Sequence, residues 1–140
     1  MRFMVLVPAS KETEAGAMPT EADLIEMNKF NEELINAGVM LSGEGLHPTS
    51  KGARIDYSGA KPAVIDGPFA ESKEMIAGFW IVEGKSLEEV VERFKRAPAS
   101  LGHIEIRQVF SPEDFAPVIK TAEGRAVMEA EAEFRKRTNT

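Results

Sequence analysis

Cysteine is absent from the 140 residues, which excludes a disulfide framework, a thiolate nucleophile and a Cys-ligated metal. Histidine occurs only as His47 and His103, and neither has a second histidine at ligand spacing, so no metal site is expected. Positive charge is short as well. Lys plus Arg is 17 against 23 Asp plus Glu, for a net charge of −6. Nucleic acids and anionic membranes need clustered positive charge, so neither is an expected partner. No run approaches the roughly 18 apolar residues of a membrane span. Met1 to Pro8 is too short for a signal peptide's apolar region and cleavage site. A cytoplasmic location is the default expectation. The phosphate-binding glycine loops and the G-x-S-x-G nucleophile elbow are missing too, and no cofactor is expected.

What is present is an ordinary globular balance, with 43% hydrophobic and 29% charged residues. The length suits one domain, read as residues 1–115, with a helical extension over 116–140. Arg2 to Val7 predicts a strand with Phe3, Val5 and Val7 on one face and Met4 and Leu6 on the other. Lys11 to Pro19 reads as a polar loop. Thr20 caps a helix, with Asp23 in the capping-box position. Met27, Phe30, Leu34 and Ala37 form its apolar stripe, and Gly38 suits a left-handed C′ position. Val39 to Leu46 is a second strand, ended by His47-Pro48. Ala53 to Tyr57 and Pro62 to Ile65 flank a turn and form a hairpin.

Glu74 to Val82 carries the clearest strand alternation. Met75, Ala77, Phe79 and Ile81 share one face; Ile76, Gly78, Trp80 and Val82 share the other. Ser86 and Glu89 form a second capping box, and Leu87, Val90, Val91 and Phe94 a second helical stripe. Pro98 ends that helix. Ile104 to Phe110 is the last main strand, and a charged helix runs from about Thr121 to Arg137. The order β-α-β-(hairpin)-β-α-β is an α+β, ferredoxin-like pattern with an inserted hairpin and a C-terminal helical tail.

Two amphipathic helices cover one face of a four-stranded sheet. The first strand and the Glu74 to Val82 strand are apolar on both faces, so the second face needs a cover. A second copy of the chain, related by two-fold symmetry, is the simplest one. A homodimer is therefore expected, with the tail helix as the alternative cover.

Asp66-Gly67-Pro68-Phe69 is the densest turn signal. Asp66 is either an Asx-turn former beside a Gly67 of unusual φ, or a rim carboxylate for acid/base work. His47, three residues after Glu44, is either a pocket base or a partly exposed histidine before proline. His103, Glu105 and Arg107 share a strand face. They form either an edge ion pair or a polar pocket, with Glu44, Arg107 and His103 as pocket candidates. A cavity between sheet and helices is the expected seat of an apolar ligand.

Val64 to Glu74, with Ile76-Ala77-Gly78-Phe79-Trp80, strongly resembles the signature of the DGPF-domain, or YCII-related, family. Phe30 to Leu34, Ala37-Gly38-Val39, Gly43 to Pro48 and Glu105-Ile106-Arg107 support it. The resemblance spans roughly residues 1–115 and implies a dimeric α+β barrel of ferredoxin-like subunits. It also implies acid/base chemistry on small molecules through a His on the first helix and an Asp near the sheet. Asp66 matches the Asp. The first helix here has no histidine, so either His47 or His103 supplies the imidazole from another element or the chemistry is absent. The resemblance further implies, as the alternative to an enzyme, a non-catalytic ligand-binding or regulatory module linked to extracytoplasmic-function sigma factors.

Overall fold

A computed structural model describes residues 1–70 and 74–138; Glu71, Ser72 and Lys73 of the signature lie outside them. Strand β1 (Arg2–Pro8) runs through the middle of a four-stranded sheet. Its other strands are β2 (Met40–Gly45), β5 (Ile76–Glu83) and β6 (Glu105–Gln108), in the order β2-β5-β1-β6. All three pairings are antiparallel. Helix α2 (Glu21–Asn36) connects β1 to β2, and α3 (Leu87–Phe94) connects β5 to β6. This is the split β-α-β topology. The short strands β3 (Ala53–Asp56) and β4 (Ala63–Asp66) form a separate two-stranded sheet between β2 and β5.

Register assigns the faces. Phe3 lies opposite Val82, and Val5 opposite both Trp80 and Ile106, so these side chains share the helix-facing side. Phe3, Val5, Trp80 and Val82 are 0–4% exposed. Phe30 and Leu34 of α2 and Val90 and Phe94 of α3 close the core over them. The rings of Phe30, Trp80 and Phe94 meet edge to face, with centroids 5.1 to 6.0 Å apart. Such contacts add about 0.5–1.5 kcal/mol each beyond burial. The Trp80 indole N–H donates to Asn31 Oδ1 at 2.9 Å, so its one polar atom is satisfied.

The opposite side of the sheet carries two cross-strand rows. One reads Glu44, Phe79, Leu6, Glu105; the other reads Ser42, Ile81, Met4, Arg107. Their apolar centres are half-buried and stand outside the helix-side core.

The helix starts behave as their residues dictate. Thr20 accepts from the Asp23 N–H, and the Asp23 carboxylate accepts from the Thr20 N–H. Ser86 likewise accepts from Glu89 N–H, but the Glu89 carboxylate takes the Lys85 N–H, so that box is only half made. The expected loop at Lys11 to Pro19 contains a one-turn helix, α1 (Lys11–Glu14), because Ser10 and Thr13 cap it reciprocally. A second short helix, α4 (Pro112–Phe115), follows β6. Helix α5 (Ala122–Thr138) buries none of its residues, and Val127 and Phe134 are exposed. Glu131 and Arg135 pair along it at 2.7 Å.

Two expectations change. The space between sheet and helices is filled by the core side chains, which displaces the ligand cavity from that position. His103 falls before β6 begins and so does not share a strand face with Glu105 and Arg107.

Candidate functional site

A cleft of about 420 Å³ opens where the end of β2 and the start of β5 meet the hairpin. Leu46, Met75 and Ile76 supply apolar surface from the main sheet's side, and Phe69 from the loop after β4. Its polar lining includes His47, Lys51, Arg54 and Glu74. The volume falls within the roughly 300–1,000 Å³ typical of small-molecule sites.

Three sequence-distant loops are tied together beside this cleft. The Thr49 hydroxyl donates to Glu14 Oε2 at 2.7 Å, and the Thr49 N–H points at the same carboxylate at 3.3 to 3.4 Å. The Phe69 N–H donates to the Thr49 hydroxyl at 3.1 Å. One threonine therefore joins α1, the 3₁₀ turn Thr49–Lys51 and the loop after β4. The Gly67 N–H donates to the Gly52 carbonyl at 3.0 Å.

Gly67 itself lies against that turn so closely that a Cβ would sit 1.6 Å from the Thr49 carbonyl oxygen. Its φ is not in the left-handed region. The expectation that this glycine serves an unusual φ is therefore corrected: the position needs glycine because backbone approaches backbone. On the hairpin, Arg54 lays its guanidinium 3.9 Å from the centroid of the Phe69 ring. Further along the hairpin, Ser58 donates to the Asp56 carboxylate from its hydroxyl at 2.6 Å and its N–H at 2.9 Å. These bonds hold that carboxyl below its ordinary value, the hydroxyl bond most.

The five side chains singled out in the sequence fall in four places. His47 lines the cleft from the loop after β2 and is exposed. Asp66 ends β4 opposite Ala53, so it shares the hairpin face of Ala53, Ile55 and Val64, away from Arg54. Asp66 is exposed, does not line the cleft, and has no hydrogen-bonded or ion-paired partner among the described residues, so the Asx bond expected of the turn is not made. Glu44 and Arg107 project from opposite edges of the open sheet face, and Arg107 approaches Glu105 at 3.9 Å, with both exposed. His103 lines a separate cleft of about 150 Å³ with Phe94, Pro98 and Leu101.

Lys51, Arg54 and Phe69 are among the cleft residues that the sequence did not mark as site candidates. A signal existed: two cations flank Gly52 between two turn-rich segments of an acidic chain. Among the described residues no group of three or more His, Asp or Glu could hold a metal, and no helix is long and apolar enough to cross a membrane.

Sheet order, helix placement and inserted hairpin define a ferredoxin-like α+β subunit with a cleft between hairpin and main sheet. The chain belongs to the YCII-related domain family, whose model matches residues 1–113. It is 31% identical over 85 residues to the uncharacterised protein R00369 of Rhizobium meliloti (strain 1021), a match covering 59% of this chain and 68% of that protein. A more distant structural likeness is to 5-chloro-2-hydroxyhydroquinone dehydrochlorinase (TftG) from Burkholderia phenoliruptrix AC1100, solved in complex with 2,5-dihydroxybenzoquinone. It has 15% identity and a TM-score of 0.43, covering 79% of this chain and 94% of that one.

Proposed function

We propose that this protein binds a small organic molecule in the cleft between the hairpin and the main sheet, with His47 as its acid/base group. The observation that carries this reading is the cleft itself, which joins apolar Phe69, Met75 and Ile76 to His47 and three charged side chains. His47 supplies the imidazole in it, a ring whose two nitrogens can donate and accept a hydrogen bond to a ligand. Asp66 is a second acid/base candidate, outside the cleft lining at the end of β4, supported by a carboxylate with no partner among the described residues.

The same reading pairs two chains through the open sheet face. Met4, Leu6, Phe79 and Ile81 support it, since they form an apolar centre flanked by polar side chains. Equilibrium sedimentation at micromolar concentration is expected to give twice the 15.4 kDa chain mass, and a monomer overturns the pairing.

Ligand binding is tested by co-purification. Protein purified without harsh washes is denatured, and its small molecules are compared with those released by Ala53→Trp, which fills the cleft from an exposed lining position. A compound enriched with the natural chain and absent from the variant is expected. Equal profiles from both overturn the proposal. Once a compound is in hand, His47→Ala is expected to abolish its turnover while retaining its binding.

A further inference from the structure

The charge of the cleft runs against that of the chain. The protein as a whole carries −6, yet among the described lining residues Lys51 and Arg54 are accompanied by a single carboxylate, Glu74. Among the described residues neither Lys51 nor Arg54 forms an ion pair, although the molecule has acidic side chains in excess. Arg54 is also held in a particular way. Its guanidinium stacks over Phe69, 3.9 Å from the ring centroid. Stacking occupies the face of the planar cation, so that its edge N–H groups, which have no hydrogen-bond partner among the described residues, are the ones that match a carboxylate fork. Phe69 in turn is fixed by its N–H bond to Thr49. The remaining lining is apolar on the floor, where Met75 is buried and Ile76 half-buried.

From this arrangement we infer that the cleft selects an organic monoanion: a carboxylate on a compact apolar body, with the carboxylate at Arg54 and Lys51 and the body against Phe69, Met75 and Ile76. A bare phosphate would meet the cations but leave that apolar surface wet, and a neutral molecule would leave unmatched the one positive charge by which Lys51 and Arg54 exceed Glu74. The inference rests on the cleft being a ligand site and adds the class of ligand it takes.

The test uses the full chain, labelled with ¹⁵N, titrated separately with 2-naphthoate, 2-naphthamide and inorganic phosphate. Naphthoate is expected to shift the amides of Thr49, Arg54 and Phe69, and to bind at least about tenfold more tightly than the amide. Arg54→Gln is expected to weaken naphthoate by about tenfold. Arg96→Gln, which removes the same charge at a surface pair with Glu33, leaves binding unchanged. Equal binding of acid and amide at these residues overturns the monoanion class while the cleft remains a ligand site. Phosphate binding as tightly as naphthoate overturns the need for the apolar body. Absence of shifts at the cleft with both naphthyl compounds overturns the inference and the binding reading together.

Discussion

The main sheet and the hairpin beside it are held by different forces. Behind the main sheet, eight buried apolar side chains from strands and helices form one core. The hairpin has no buried residue on either strand. What holds it is largely polar: the Thr49 links to Glu14 and Phe69, the backbone contact at Gly67, the Arg54 contact with Phe69 and the Asp56–Ser58 turn. Apolar burial is non-directional and large in sum. Hydrogen bonds are directional and contribute about 1 kcal/mol each. The cleft lies where the two regimes meet, with a floor from the sheet and a wall held by these individual contacts. Regions of that second kind open at lower free energy than the core and commonly carry binding function.

The contrast can be broken from either side. The largest effect is expected from Trp80→Ala, which empties a ring site between Phe30 and Phe94 and leaves Asn31 Oδ1 without its donor. Denaturant unfolding should show a loss of about 3–5 kcal/mol. A loss under 1 kcal/mol would mean the core is not where the stability resides.

Gly67→Ala comes next, because its methyl would overlap the Thr49 carbonyl. A cost of about 1–3 kcal/mol is expected, confined to the hairpin. Hydrogen exchange checks it: amides of β3 and β4 should exchange faster, and those of β1 and β5 should not. Equal acceleration in both regions would make the two one cooperative unit.

Thr49→Ala removes the hydroxyl that bridges Glu14 and Phe69 and should cost about 1–2 kcal/mol by the same exchange measurement. The smallest effect is expected from Ser58→Ala. Asp56 has a carboxyl held below its ordinary value, so its contribution is present above the unfolded value and fades as pH falls through the folded one. The variant should return that carboxyl towards its ordinary value in an NMR titration without a measurable change in melting temperature, since the group is fully exposed. An unchanged titration would remove the bond to Ser58 as the cause.

Patterns that repeat along the chain were legible in the sequence. Alternation placed Phe3 with Val5 on one face of β1 and Trp80 with Val82 on one face of β5, because strand periodicity is a local property, whereas the register that joins those two faces is a tertiary one. Thr20 and Asp23 marked the start of α2 for the same reason. The hairpin was located to within a residue or so at its ends.

The cleft was only partly legible. His47 could be singled out, and the Asp66 to Phe69 turn identified one of its loops. Thr49 could not, since its partners Glu14 and Phe69 lie 35 and 20 residues away and no local pattern joins them. Gly67 was recognised as special for the wrong reason, because a tertiary contact rather than a torsion demands it. His103 was misplaced because β6 is shorter than its apolar alternation suggests.

The abutment of Gly67 on the Thr49 carbonyl also bears on timing. With no side chain between them, the loop after β4 and the Thr49–Lys51 turn meet backbone against backbone, a contact made when the chain folds. A solute arriving at the mouth would find the walls already at their final distance. Its observed association rate should then climb linearly with concentration in stopped flow, without the plateau that a slow rearrangement imposes.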